Sequence, residues 1–129
     1  MLSNTQAELD DHFDSPFEEA VCTALRKNGL SVKTQVGCSG YKIDMAIRDS
    51  RKPGEFILGI ECDGASYHSS ATARDRDRLR QQVLENLGWK FYRIWSTDWF
   101  KNPTRELEKL LKHIDNIKIK NELMEENIV

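Results

Sequence analysis

The sequence predicts an α/β protein in which helices flank one mixed sheet. Three observations predict this class: apolar residues recur at helical spacing in three segments, four other runs have the character of strands, and turn-forming residues separate them. The elements follow in the order α-β-β-β-α-β-α. A chain of 129 residues with 39% hydrophobic residues has room for one modest core, and therefore for one domain.

The first helix is predicted from the residues at its two ends. Ser15 can cap it, Pro16 suits its first position, and Glu18 follows the cap by three residues. Gly29 follows the apolar stripe and ends the helix. Residues 1–14 are polar and acidic without periodicity, so we expect a flexible lead-in there.

Three strands are predicted next, at residues 31–36, 41–48 and 55–63, because each run is bounded by turn residues and is rich in strand-forming side chains. Residues 37–40 separate the first two, and residues 50–54 separate the second two. The second of these loops is rich in turn residues and suits a hairpin between the second and third strands.

A second helix is predicted from residue 72 to 88, with Thr72 as its cap and Gly88 as its end. Its inward apolar stripe is predicted to consist of Leu79, Val83 and Leu87. Residues 89–95 then alternate as a fourth strand. A strand, a helix and a strand in this order imply a right-handed parallel crossover.

The last helix opens at Asn102-Pro103 and is amphipathic. We therefore divide the chain into a domain over residues 15–101 and a C-terminal amphipathic helix and tail over residues 102–129.

Composition argues against several classes of protein. Nineteen basic against twenty-one acidic residues give a net charge of −2, so no global field draws the chain to nucleic acid. Three cysteines without paired spacing argue against a disulfide framework and a four-ligand zinc site, and a reducing cytoplasm fits them best. The sequence has neither an apolar run of membrane-spanning length nor a signal-peptide pattern, so we expect no membrane association.

Acidic residues stand in two predicted strands, where a desolvated carboxylate is costly unless it meets a cation or a donor. Glu61 and Asp63 point to one face of the third strand, roughly 7 Å apart. If the second and third strands pair, Asp44 can face Glu61, and the two carboxylates repel unless a metal bridges them. Singly, each acid fits a solvated strand end. Together, and followed by His68, they predict a metal site for phosphodiester chemistry.

Glu18 has two interpretations. It fits a capping box unaided, in which its side chain reaches back to the cap. Yet it shares a helical row with Cys22 and Leu25, which places it toward the core. The sequence leaves open whether Glu18 serves a site as well as a cap.

The second helix opens with a run of alternating charges. Arg74 and Arg78 stand at i and i+4 near the predicted site, where paired guanidinium groups suit phosphate oxygens. The alternative is a solvated helix face. That alternative is the better interpretation for three neighbours: Arg76, Asp77 and Arg80.

Several groups of residues form a known pattern in this order: Ser15-Pro16-Phe17-Glu18, Gln35, Tyr41-x-Ile43-Asp44, Gly59-Ile60-Glu61-Cys62-Asp63-Gly64-x-x-Tyr67-His68, Arg74-Asp75-x-Asp77-Arg78-Leu79-Arg80, Gly88-Trp89 and Arg93-Ile94-Trp95-Ser96-x-Asp98-Trp99. The pattern covers about residues 15–100. It closely resembles a restriction-endonuclease-like domain of the PD-(D/E)XK nuclease superfamily, near the branch of the very short patch repair endonucleases. Such domains often form the C-terminus of large bacterial superfamily I helicases.

The resemblance implies a metal-binding pair, Asp44 and Glu61, with the Cys62 carbonyl as a possible third ligand. Glu18 corresponds to the helix-borne acid that some members add. The implied cofactor is Mg²⁺ or Mn²⁺ and the implied partner is DNA. Gln35 joins Arg74 and Arg78 as an expected DNA-binding residue.

The chain departs from the usual pattern at Asp63, where most members of the superfamily have a lysine that polarises the attacking water. We expect Asp63 to hold a second metal or to orient water. His68 is the candidate for the lysine's role in proton transfer, as in the repair-endonuclease branch. Lys42 is a weaker candidate.

The sequence therefore predicts a magnesium-dependent DNA endonuclease, and the resemblance implies a module of a helicase or a DNA repair protein. Two rivals stay open. One is a DNA-binding module that keeps the nuclease fold without its chemistry. The other is a protein-interaction domain that uses the amphipathic segment 103–123.

Overall fold

The computed structural model describes residues 11–64 and 71–128, with side chains for residues 11–64 and 75–126. Its helices are α1 (Pro16–Lys27), α2 (Ala71–Asn86), α3 (Ser96–Lys101) and α4 (Pro103–Ile128). Its strands are β1 (Val32–Cys38), β2 (Tyr41–Arg48), β3 (Phe56–Asp63) and β4 (Phe91–Trp95).

The four strands form one mixed sheet in the order β1-β2-β3-β4. β1 with β2 and β2 with β3 pair antiparallel, whereas β3 and β4 pair parallel with α2 between them in the chain. This arrangement confirms the predicted α/β class and is compatible with a restriction-endonuclease-like fold.

The ends of α1 follow the sequence pattern. The Glu18 amide donates to the Ser15 hydroxyl at 3.2 Å, and Pro16 is the first helical residue. Gly29 has φ +84°, a conformation that most side chains disfavour, and follows the end of the helix. Before the helix, Asp11 pairs with Arg26, so part of the predicted lead-in contacts the folded body.

One face of the sheet carries the main core, in which α1 and α4 cover the strands. The buried residues of this core include Val21, Leu25, Met45, Ile47, Leu58, Ile60, Ile94, Leu110 and Ile114. Since Leu110 and Ile114 belong to α4, the first half of that helix is part of the core. The division of the chain near residue 101 stays a prediction.

The opposite face carries a smaller core beneath α2, formed by Val36, Ile43, Ala46 and Leu84. Gly59 lies beside it, where an added Cβ would come within 2.8 Å of the Phe91 ring. A glycine at this position therefore lets β4 pack closely against β3. The rest of this face, toward the end of β3, is polar.

The predicted inward stripe of α2 is wrong. Leu79 and Leu87 are each 57% exposed, and the buried residue is Leu84. The helix is turned so that Asp77, Arg80 and Leu84 lie on its inner side, because the end of β3 presents charged partners to the first two. Periodicity alone could not separate the two helical rows, since both contain leucine.

Two predicted strand faces are interrupted. Ile43 joins the small core while Met45 joins the main one, so the alternation expected along β2 breaks at Asp44. Phe56 also packs in the small core rather than with Leu58, because the β2–β3 register shifts between Ile47 and Arg48.

The short helix α3 was not predicted. Trp95 precedes it and makes no side-chain capping bond within the described part of the chain, so the sequence lacks the usual start pattern. Among the helices of the described residues, none combines the length and the apolar character that crossing a membrane requires.

Candidate metal centre

Asp44 and Glu61 meet at one end of the β2–β3 pairing. The antiparallel register pairs Met45 with Ile60; Asp44 immediately precedes Met45, and Glu61 immediately follows Ile60. Their carboxyl groups lie close enough for Asp44 to disfavour the charge of Glu61, and the Cys62 amide donates to Asp44 Oδ2 at 2.9 Å. The structure therefore brings these two predicted site residues together.

The surroundings of Glu61 disfavour its charge. The residue is 7% exposed, and burial, followed by the nearby Asp44, raises the pKa of Glu61 to about 8. Arg80 opposes this rise, because its Nη2 donates to Glu61 Oε1 and also to the Lys42 carbonyl. A buried carboxyl pair with one guanidinium beside it still favours an additional cation.

A second acidic group adjoins Asp44. Asp14, Glu18 and Asp44 each offer a carboxylate oxygen, and these oxygens lie within 4.8 Å of one another. Burial, then Asp44, then Asp14 raise the pKa of Glu18 to about 7. Asp44 thus lies between Glu61 on one side and the α1 acid on the other. Asp14 was not predicted, because it falls in a segment without periodicity.

Gln35 contributes to this group from β1. Its Nε2 donates to Glu18 Oε1 at 3.2 Å, and its φ is +50°, in the left-handed region that few residues other than glycine adopt. The structure thus places Gln35 beside the acids, where it orients Glu18. Its contact with DNA stays a prediction.

Asp63 forms an ion pair with Arg93. Arg93 Nε lies 2.8 Å from Asp63 Oδ2, and Arg93 Nη2 lies 3.1 Å from Asp77 Oδ2. Asp63 Oδ2 is buried and makes no well-aligned hydrogen bond within the described residues, so its contact with Arg93 is an ion pair. Burial raises the pKa of Asp63, an effect that Arg93 opposes.

Arg80 is not part of a solvated face, so that interpretation was wrong for it. Its side chain is 18% exposed, and it pairs with Glu61. The sequence contained a usable indication, since Asp77, Arg80 and Leu84 share one helical row. Arg93 also belongs to this charged group, but the sequence indicated it only as one residue of a longer motif.

The structure describes the remaining predicted site residues only in part. His68 lies outside the described residues, as do the side chains of Thr72 and Arg74. Arg78 is on α2 with an exposed side chain. The roles of His68, Arg74 and Arg78 therefore stay predictions.

The donor set fits a hard divalent cation. Carboxylate and carbonyl oxygens suit Mg²⁺, which takes few carboxylates and keeps several waters. Burial and four neighbouring acids raise the pKa of the Cys62 thiol far above its usual range, so it stays neutral. Any contribution of Cys62 to a metal would therefore come from its carbonyl. The half-buried Asp44 and the buried Glu61 supply negative charge that such a cation would offset.

The comparison with protein families agrees with this geometry. Residues 17–114 match the family REase_MTES_1575, whose name denotes a restriction-endonuclease-like domain. A search of curated proteins finds no match.

Proposed function

Since the chain belongs to the restriction-endonuclease-like family REase_MTES_1575, we propose that it is a metal-dependent DNA endonuclease that hydrolyses phosphodiester bonds. The observation that carries this proposal is the meeting of the half-buried Asp44 with the buried Glu61 on paired strands, beside the acidic group that Asp44 forms with Asp14 and Glu18. Two neighbouring, largely desolvated acids destabilise the fold, and a catalytic cation that they bind would explain their presence.

Asp44 and Glu61 would hold Mg²⁺ or Mn²⁺, with the Cys62 carbonyl as a further ligand. A bound metal lowers the pKa of its water and offsets charge that builds on a phosphate. The Cys62 amide orients Asp44 by donating to its Oδ2, and Arg80 orients Glu61. Glu18, held by Gln35, adds negative charge on the other side of Asp44.

For proton transfer we propose His68, because a histidine titrates near neutral pH. Lys42, whose side chain is exposed, is the weaker alternative. In a second-metal role Asp63 would share its charge with Arg93, whose Nε lies 2.8 Å from Asp63 Oδ2.

For DNA we propose contacts from Arg74 and Arg78 to phosphate oxygens, with Gln35 at the edge of the site. The exposure of Arg78 on α2 supports this assignment. The relation to the repair-endonuclease branch and the association with a helicase stay predictions from the resemblance. The cytoplasmic location and the role in DNA repair are likewise untested.

A second candidate is a DNA-binding module without catalysis. One observation favours it: the position of the usual lysine carries Asp63, and the structure engages that acid with Arg93. Both candidates share the DNA contacts and differ only in chemistry.

The test is a cleavage assay on supercoiled, linear, single-stranded and branched DNA, with Mg²⁺, with Mn²⁺ and with a chelator. The endonuclease proposal predicts metal-dependent cleavage of at least one form that the chelator stops. DNA binding without cleavage under every condition would replace it with the binding module.

A further inference from the structure

Arg80 engages one defined oxygen of the candidate metal pair. Its Nη2 donates to Glu61 Oε1 and, at the same time, to the Lys42 carbonyl on β2. The two side chains are 18% and 9% exposed, so little water competes for the contact. Arg80 Nη1 also lies 3.9 Å from Asp77 Oδ1, which holds the guanidinium from its own helix.

This contact limits how Glu61 can coordinate a cation. A carboxylate binds a metal through one oxygen or through both. With Oε1 bonded to Arg80, Glu61 offers Oε2 alone. Arg80 could release Oε1 only by also leaving the Lys42 carbonyl, which sits two residues before Asp44 on the same strand.

The number of coordinating oxygens matters for the choice of cation. Mg²⁺ demands near-octahedral geometry, takes one or two carboxylates and keeps several waters. Ca²⁺ takes six to eight oxygens in flexible geometry and readily accepts a carboxylate through both of its oxygens. A site whose glutamate is confined to one oxygen is therefore biased toward Mg²⁺.

We propose that Arg80 is a positioning residue that makes this site selective for Mg²⁺ over Ca²⁺ by confining Glu61 to one coordinating oxygen. The inference rests on the proposed function, because it takes Asp44 and Glu61 as the metal pair. It assigns to Arg80 a role that the alternating charges of α2 did not indicate.

The test is a calorimetric titration of the full chain with MgCl₂ and with CaCl₂. Variants Arg80→Leu and Arg80→Met both remove the donor and release Oε1, and the second keeps a long side chain should the first fail to fold. Each should raise the ratio of Ca²⁺ to Mg²⁺ affinity by about 10-fold or more, the size of effect known for groups that orient metal ligands. Arg80→Lys retains a donor and should stay near the wild-type ratio.

Arg76→Gln is the matched control, since it removes the same charge from an exposed position of the same helix. It should leave the ratio unchanged. If Arg80→Leu and Arg80→Met tighten both cations by one common factor, Arg80 acts only through its charge and the inference is overturned. If the wild-type protein binds neither cation, the proposed metal pair itself fails, a result distinct from an unchanged ratio in a protein that binds Mg²⁺.

Discussion

The structure and the proposed function of Glu61 place opposite requirements on the charge of its carboxyl group. Burial beside Asp44 disfavours its negative charge, while the proposed chemistry requires that charge. Arg80 stabilises part of the negative charge on Glu61, and a divalent cation would stabilise the rest. Asp44 has the same position between competing neighbours, because Glu18 faces it from α1. The cost of this arrangement is expected to appear as a pH-dependent stability.

The metal-free protein should lose stability between pH 5 and pH 8. Glu61 and Glu18 have folded-state pKa values of about 8 and about 7, above the ordinary 4.5. The folded state therefore binds more protons than the unfolded state in this range, so the stabilisation present at low pH is lost as pH rises through the folded pKa values. Thermal unfolding in a chelator should show a midpoint roughly 5 °C or more lower at pH 8 than at pH 5.

Two additions make that experiment specific. Mg²⁺ at pH 8 should recover part of the midpoint, since a cation that binds the folded state stabilises it. Glu61→Gln should reduce the pH dependence, because it removes one of the two groups. A midpoint that rises from pH 5 to pH 8 in the chelator would contradict the assigned environment of Glu61.

Glu61→Gln should abolish cleavage while leaving folding intact. The amide keeps the volume of the side chain and an acceptor for Arg80, but it removes a ligand charge. Affinity for DNA should stay the same or improve. Cleavage assays, urea unfolding and DNA titration check this, with the exposed Glu108→Gln as control. A loss of several kcal/mol of stability would instead mark Glu61 as structural.

At the scale of elements, α2 decides which charged residues reach the sheet. Its sequence offers two helical rows, one with Leu79 and Leu87 and one with Asp77, Arg80 and Leu84. The more apolar row is the natural choice for an inward face, yet it is the exposed one. Ion pairs at the end of β3 fix the second row instead, and hydrophobic periodicity could not reveal that choice.

Leucine truncations on α2 test this orientation. Leu84 is fully buried, so Leu84→Ala should cost about 2–5 kcal/mol of unfolding free energy. Leu79 is 57% exposed, so Leu79→Ala should cost about 0.5 kcal/mol or less. Urea denaturation of the two variants provides the comparison. Equal losses, or a larger loss at Leu79, would mean that the helix is turned as the periodicity suggested.

At the scale of the whole molecule, the sequence predicted the element order apart from α3, the sheet, and the meeting of Asp44 with Glu61. It could do so because capping residues, turn glycines and strand alternation are local. Arg80 and Asp14 were missed as members of the site, because their roles depend on contacts between distant elements. The charge balance of −2 likewise conceals a local separation, with acids at the end of β3 and arginines on α2.

That separation predicts a limited basic surface for DNA. Arg74→Ala combined with Arg78→Ala should weaken binding and flatten its salt dependence by about one phosphate contact per arginine. Fluorescence anisotropy across a series of salt concentrations measures both effects. The double variant Lys118→Ala with Lys120→Ala on α4 is the charge-matched control. Unchanged affinity and slope in the arginine variant would assign the bound strand to another surface.

We propose above all that Asp44 and Glu61 together support metal-dependent cleavage of DNA. The most direct measurement is single-turnover cleavage, in Mg²⁺, by wild-type, Asp44→Asn and the exposed Asp115→Asn proteins purified side by side. We expect the wild-type and Asp115→Asn proteins to cleave DNA at similar rates. Asp44→Asn should lower the cleavage rate by about 100-fold or more, because a misplaced or missing metal ligand disables catalysis. Equal cleavage by all three proteins would contradict this proposal.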